Sequence, residues 1–152
     1  MTQEDKELLL KDLCARLPYG VKCEITTTFE FSNKRLAPKV KELDYLILGA
    51  ASAIAKGYED NTSIKSYLFP LSSMTDEQCE ELKQEYCNIA CDNIKKMFAN
   101  PDESHLYSSK SSSFEIDWLN KHHIDYRGLI EKGLAIDATG LEVYKRSKLW
   151  KK

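Results

Sequence analysis

The amino-terminal end of the chain has the pattern of a helix. Thr2 followed by Asp5 has the spacing of a capping box, in which two side chains satisfy the first free backbone amides of a helix. Apolar residues then recur at helical spacing at Leu9, Leu10, Leu13, Cys14 and Leu17. Because proline and glycine interrupt helices, Pro18 and Gly20 predict where this helix ends.

The following segment has the pattern of β-structure. From Val21 to Phe31 apolar and polar residues alternate, which predicts a strand with one covered face. The stretch from Val40 to Leu48 predicts a second, more fully buried strand. The small residues from Gly49 to Ala55 fit either a helical turn or a continuation of that strand, because short apolar runs do not separate the two. A short element from Ile64 to Leu68 is expected to end at Pro70.

The middle of the chain carries a second capping box. Thr75 and Gln78 have the required spacing, and they predict a long helix from about Asp76 to Ala99. At about 100° per residue, one face of this helix is apolar and is expected to cover the sheet. Its members are Cys79, Leu82, Tyr86, Ala90, Ile94 and Met97.

After a serine-rich loop, the carboxyl-terminal part of the chain predicts a helical hairpin over residues 114–144. Phe114, Trp118 and His122 share one face of its first helix. Asp125 is expected to cap a second short helix that ends at Gly133. A strand is possible from Leu134 to Ile136, and residues 145–152 form a basic tail around Trp150.

These elements predict an α+β fold in a single domain, residues 1–144. The predicted architecture is an amino-terminal helix, a small and mainly antiparallel β-sheet, a long central helix and a carboxyl-terminal helical hairpin. The small residues from Gly49 to Ala55 leave open whether they pack inside one subunit or between subunits.

Composition and charge narrow the class of protein. The 152 residues are 42% hydrophobic and 30% charged, which is typical of a globular protein and not of a disordered one. The formal charge of -2 disfavours a purely electrostatic nucleic-acid binder. The longest weakly polar run, Tyr45 to Ala55, is too short to span a bilayer, and the acidic amino terminus is unlike a secretory leader. Five cysteines without a tight framework favour free thiols, and hence a cytoplasmic location.

The sequence gives little support for a metal site or a catalytic site. His122, His123 and Asp125 are possible metal ligands, but adjacent helical residues point about 100° apart and do not converge. Cys79, Cys87 and Cys91 lie on or beside the apolar helix face, where a thiol acts as a small hydrophobe. No nucleophile elbow or phosphate-binding glycine loop is present in the sequence. We therefore predict no catalytic residue, no metal and no cofactor.

Three blocks of the sequence, LLLKDLCARLPYGVK, IKSYLFPLSSMT and WLNKHHIDYRGLIEKGLAID, resemble a family of short proteins encoded by phages, prophages and mobile elements of gut anaerobes of the Bacteroides type. The blocks cover about a third of the chain, and the family implies an origin but no activity. The alanine-rich part of the region from Cys23 to Ser63 departs from the family pattern. A shared ligand-binding site, as the resemblance implies it, would use Tyr19, Tyr67, Trp118, His122, His123, Asp125, Tyr126 and Arg127.

Three functional hypotheses follow from the sequence. The first is a non-enzymatic binding protein that occupies a host protein or sequesters a small ligand, such as a nucleotide signal of a defence pathway. The second is a nucleic-acid-associated accessory protein that uses the helical hairpin and the basic tail from Lys145 to Lys152. The third is an enzyme whose residues converge only in three dimensions.

Overall fold

The computed structural model describes residues 1–28, 36–58, 61–85 and 112–144. Over these ranges the chain has an α+β fold with four α-helices and a five-stranded sheet. The helices are α1 (Gln3–Arg16), α2 (Tyr45–Ala55), α3 (Asp76–Glu85) and α4 (Ser112–Lys121). The strands are β1 (Lys22–Thr27), β2 (Lys39–Glu42), β3 (Thr62–Pro70), β4 (Ile124–Asp125) and β5 (Ala135–Asp137). Single 3₁₀ turns follow α1 and β3 at Leu17–Tyr19 and Leu71–Ser73.

Both predicted capping boxes are present. The Thr2 hydroxyl accepts a hydrogen bond from the Asp5 amide at 3.1 Å, and the Asp5 carboxylate accepts one from the Thr2 amide at 3.1 Å. Thr75 and Gln78 make the same reciprocal pair at the start of α3, at 3.0 and 3.3 Å. Gly20, at φ +65°, follows the turn that ends α1, as predicted.

The sheet is mixed. β1 lies between β2 and β3 and runs antiparallel to both. β4 and β5 both pair with β3 and run parallel to it, with Phe69 opposite Ile124 and Tyr67 opposite Ile136. The prediction of a mainly antiparallel sheet is therefore correct for β1–β3 and wrong for the carboxyl-terminal strands. β1 ends at Thr27, and the predicted continuation to Phe31 passes into residues outside the described ranges.

The strand predicted from Val40 to Leu48 is present only at its start, as β2, and the prediction that it is buried is wrong. β2 has only four residues, all exposed, at the edge of the sheet. The chain then turns into α2 because the Asp44 carboxylate accepts a hydrogen bond from the Ile47 amide at 2.8 Å, which caps a helix. The small residues from Gly49 to Ala55 belong to this helix, and the high helix propensity of the alanines among them agrees with it.

The predicted helical hairpin is half correct. α4 is its first helix, but residues 126–133 form a series of turns where the second helix was expected. An N-cap accepts hydrogen bonds from amides two or three residues ahead, whereas Asp125 accepts from Leu129 at 3.0 Å and Ile130 at 2.8 Å. Asp125 thus closes a wider turn. The strand suggested at residues 134–136 is confirmed, one residue later, as β5.

Two clusters of buried side chains form the interior of the described residues. The first, called here the helix–sheet core, joins α1 and α2 to the sheet; its buried members are Leu9, Leu13, Val21, Cys23, Leu43, Ile47, Ala51, Ile54, Ile64, Leu68, Leu129, Leu134 and Ala135. The second, the carboxyl-terminal core, joins α3 and α4 to β4; its members are Met74, Cys79, Leu82, Trp118, Leu119, Ile124 and Tyr126.

The long central helix is described only as far as Glu85. Cys79 and Leu82 are buried as predicted, and the rest of its expected apolar face lies outside the described ranges. Cys79 is disulfide-bonded, so the expectation of free thiols is wrong for it, whereas Cys14 and Cys23 are free. Among the helices described, none has the length and apolar character needed to cross a membrane.

Candidate functional site

A buried ion pair on α1 is the starting point of the candidate site. Asp12 and Arg16 are four residues apart, so they lie on the same face of the helix, and both side chains are 0% exposed. Arg16 Nε donates to Asp12 Oδ2 at 2.7 Å, and Arg16 Nη2 donates to the Ile124 carbonyl at 2.8 Å. The pair therefore links α1 directly to β4, at the boundary between the two cores.

A second arginine reaches the same carboxylate. Arg127, just after β4, places its Nε 3.3 Å from Asp12 Oδ1, close enough for an ion pair but without the alignment of a hydrogen bond. Its side chain is 19% exposed, in contrast to Arg16. One buried carboxylate thus faces two guanidinium groups, which leaves one positive charge in excess. Within the described residues, Arg16 Nη1 is also buried without a hydrogen-bond partner.

The ring of Tyr126 lies against both guanidinium groups. The Arg16 and Arg127 Cζ atoms are 5.5 and 4.8 Å from the ring centroid, within the range of cation–π attraction. Asp12, Arg16, Tyr126 and Arg127 are called here the arginine-pair site. Arg127 is the accessible member of this site, because Arg16 and Tyr126 are both buried.

Tyr19 lies on the rim of this site. Burial, followed by the nearby Asp117 carboxylate to which it hydrogen-bonds, raises the pKa of the Tyr19 phenol, and Tyr126 adds a smaller electrostatic contribution. The sequence therefore proposed three residues, Tyr19, Tyr126 and Arg127, that the fold brings to one region. It did not propose Asp12 or Arg16, which complete the site.

The two predicted histidines lie at the end of α4 in different environments. His122 stacks on Trp118, with ring centroids 3.9 Å apart, and its Nε2 is 3.7 Å from Glu81 Oε1. His123 stacks instead on Tyr144 at 4.3 Å and has φ +57°, an uncommon value for a residue with a side chain. The two rings thus stack on different partners, and because both residues lie beyond the end of α4, the helical spacing assumed in the prediction does not apply to them.

His123 is held as a neutral imidazole. Burial, assisted by the positive charge of Arg16 and by His122, lowers the pKa of His123 to about 4. Its backbone amide donates to the Asn120 carbonyl at 3.1 Å, and its carbonyl accepts from the Phe69 amide at 2.9 Å, so His123 connects the end of α4 to β3. This residue occupies the position where helices frequently end with glycine.

The side chains of Tyr67 and Asp125 make structural hydrogen bonds and do not belong to the arginine-pair site. The Tyr67 hydroxyl donates to Glu24 at 3.1 Å, and burial followed by this bond raises the pKa of Tyr67. Its carbonyl accepts from the Tyr144 hydroxyl at 2.7 Å, so it connects to the His123 stack only through Tyr144. Both carboxylate oxygens of Asp125 are used in its turn.

Neither a metal-binding cluster nor a groove coincides with the residues described above. In the ranges that the structure describes, no group of three or more His, Cys, Asp or Glu side chains could hold a metal ion. A groove of about 460 Å³ lies between the start of α1, β3 and the turn before β5. Its lining includes Asp5, Lys65 and Lys132, and it contains none of the sequence-predicted site residues.

The sequence does contain a signal for Asp12 and Arg16, the two site residues that were not predicted. Asp12 and Arg16 alternate with Leu9 and Leu13 on one helical face, at spacings of three and four residues. Charged residues on an otherwise apolar face are rarely buried unless they are paired. Asp12 and Arg16 are therefore expected either to reach solvent at the edge of this face or to form a buried ion pair.

Comparisons with known proteins do not extend this description, because no family model, curated protein or solved structure matches the chain.

Proposed function

We propose that this is a non-enzymatic binding protein that captures a small anionic ligand of the nucleotide type at the arginine-pair site. The observation that carries the proposal is one buried carboxylate, Asp12, shared between two guanidinium groups. Arg127 is partly exposed and shares its carboxylate with Arg16, so an anion placed beside it would make a favourable charge-assisted contact. Guanidinium is the side chain best suited to phosphate and carboxylate groups because it offers paired donors.

The aromatic surroundings favour a nucleotide over a simple anion. Tyr126 lies beside both arginines, and Tyr19 lies at the rim. Aromatic side chains stack on nucleobases, while arginine binds phosphate, so the two residue types together suit a base joined to a phosphate. A phage or mobile-element origin, a role in host defence and a cytoplasmic location belong to this proposal and remain predictions.

Calorimetric titration with matched small molecules tests the proposal. We expect AMP to bind, inorganic phosphate to bind more weakly, and uncharged adenosine to bind weakest, because the arginine pair requires the anion. Binding should weaken as salt is added, since ions screen a partly exposed charge. Equal binding of AMP and adenosine, or binding of none of the three, would contradict the proposal.

A variant at Arg127 tests whether AMP binds at the arginine-pair site or elsewhere on the surface. Arg127→Gln removes one guanidinium while Asp12 keeps Arg16, so the fold should survive; we expect a loss of AMP affinity of roughly tenfold or more. Lys132→Gln, in the groove at the start of α1, is the matched control and should bind normally. Equal losses in both variants would indicate a nonspecific electrostatic effect.

The nucleic-acid alternative depends on the tail from Lys145 to Lys152, which lies outside the described ranges. It remains a prediction, tested by the loss of salt-dependent DNA binding when the tail is deleted. The enzyme hypothesis likewise remains untested.

A further inference from the structure

In the part of the chain that the structure describes, one side of α2 is apolar and uncovered. The helix has 11 residues and none is charged. Ile47, Ala51 and Ile54 face the helix–sheet core, whereas Tyr45 and Leu46 are 81% and 83% exposed. A helix at the surface of a soluble protein normally directs polar side chains outward. The outer face of α2 therefore has the character of a surface that is buried in an assembly.

The shape of this face is complementary to itself. At about 100° per residue, Gly49 lies opposite the buried side, and a methyl group added there would meet nothing within 4 Å. The large side chains of Tyr45 and Leu46 come one turn before it, and the small side chain of Ala53 comes one turn after. Two copies packed antiparallel would place the large end of each helix over the small end of the other.

Charges at the two ends agree with the same arrangement. Asp44 lies immediately before α2 and Lys56 immediately after it, and both are exposed. When two copies cross antiparallel near Gly49 and Ala50, Asp44 of each copy lies opposite Lys56 of the other. The macrodipoles of the two helices also oppose each other in this orientation. A parallel arrangement would bring like charges together at both ends.

The exposed apolar side chains supply part of the area that a dimer requires. Tyr45, Leu46 and Tyr58 are each more than 80% exposed. Together they offer roughly 500 Å², against the ~800 Å² per partner of a standard interface. The flat surface around Gly49 and Ala53 supplies further area, because helix backbones can approach closely over small residues.

We propose that the outer face of α2 is the interface of a two-fold symmetric homodimer, in which the two α2 helices pack antiparallel with Gly49 near the axis. Such an interface uses the same surface on both subunits, as closed dimers do. The occupant is a second copy of this chain because shape and charge are both self-complementary. This inference does not depend on the arginine-pair site.

Sedimentation of the full-length protein over a wide concentration range tests the interface. We expect the wild type to be a dimer, and Leu46→Lys and Gly49→Gln to weaken dimerisation by roughly tenfold or more, because a charge or a long side chain then lies at the crossing. Leu141→Lys, at a residue that is 47% exposed elsewhere, is the matched control and should remain dimeric. Circular dichroism checks that all three variants are folded.

The possible results distinguish a second copy of this chain from other partners that could cover the outer face of α2. A wild type that remains monomeric overturns the proposal, as does an equal effect of Leu141→Lys and Leu46→Lys. A wild-type monomer that co-sediments with phosphatidylcholine–phosphatidylglycerol vesicles would assign the face to a lipid surface instead.

A cross-linking experiment tests the antiparallel geometry. Because Gly49 lies near the two-fold axis, Gly49→Cys should form an intermolecular disulfide on mild oxidation, well above the background from exposed Cys14. Leu141→Cys is the control and should cross-link no more than the wild type. Equal cross-linking of the two variants would overturn the proposed crossing point.

Discussion

The helix–sheet core and the carboxyl-terminal core differ in what they bury. The first consists of aliphatic side chains and a cysteine between two helices and the sheet. The second surrounds Trp118 and lies beside buried Glu115 and Asn120, with Glu115 Oε1 and Asn120 Oδ1 lacking hydrogen-bond partners in the described residues. Buried polar groups without partners cost stability, so a protein retains them where they serve a purpose other than folding.

The arginine-pair site lies where these two interiors meet. On α1, Asp12 is adjacent to Leu13 of the first core, and Arg16 donates to the carbonyl of Ile124 in the second. The comparison indicates that the aliphatic helix–sheet core specifies the fold. The carboxyl-terminal core, which is more polar and aromatic, contains the residues that could take part in binding or chemistry. Four predictions test this division.

The largest effect is expected at Asp12. Asp12→Ala leaves two guanidinium groups, one of them fully buried, without their carboxylate, so we expect a loss of about 3–5 kcal/mol in the free energy of unfolding. Urea denaturation followed by circular dichroism measures it. The double variant Asp12→Leu with Arg16→Met, which removes both buried charges, should lose less. A cost of Asp12→Ala near zero would show that the ion pair does not connect the two cores.

A matched pair of leucines compares the two cores directly. Leu13 and Leu119 are both 0% exposed, one in each core. We expect Leu13→Ala to cost about 3–4 kcal/mol and Leu119→Ala about 2–3 kcal/mol, because the smaller cluster relaxes more readily around a cavity. The same urea titration gives both values. The opposite order would mean that the carboxyl-terminal core is the more tightly packed of the two.

A pH effect is expected at His123. Its pKa is lowered to about 4 in the folded protein from an ordinary value of 6.5, so the unfolded chain binds the proton first as the pH falls. Stability should therefore decrease between about pH 6.5 and 4. His123→Asn removes this proton and tolerates positive φ, so its stability should depend less on pH in that window. His122→Asn is the control, and identical profiles for wild type and His123→Asn would contradict the prediction.

The smallest effect is expected at Glu115, with the opposite sign. Burial raises the pKa of this carboxyl, so the folded state favours its protonated form and stability is lost as the pH rises through that raised value. Glu115→Gln should be slightly more stable than the wild type at pH 7, and the difference should shrink towards pH 4. Thermal unfolding at both values measures it. A variant that is less stable at pH 7 would indicate an unrecognised partner of the carboxylate.

Local signals in the sequence predicted local structure well. Thr2 with Asp5 and Thr75 with Gln78 place the starts of α1 and α3, because a capping box involves only residues within one turn. The alternation after Val21 predicted β1 for the same reason. The prediction for Val40 to Leu48 was wrong from Tyr45 onward because a short apolar run fits strand and helix equally, and the Asp44 cap favours the helix.

The candidate site was predictable only in part. Tyr19, Tyr126 and Arg127 were proposed, and the fold brings them to one region. Asp12 was not, although its position beside Leu13 on an apolar face carried a signal. Its two arginine partners are 4 and 115 residues away in the chain, and only the nearer one has a spacing that a sequence pattern reveals.

The sequence by itself therefore determined the fold class, the starts of α1 and α3, and the first strand. Each depends on backbone geometry within a few residues. Tertiary structure alone decided that β4 and β5 join β3 in parallel, that Asp12 is shared between two arginines, and that the other described segments leave one face of α2 uncovered. Those features depend on which distant segments meet, and that choice follows from the packing of the whole interior.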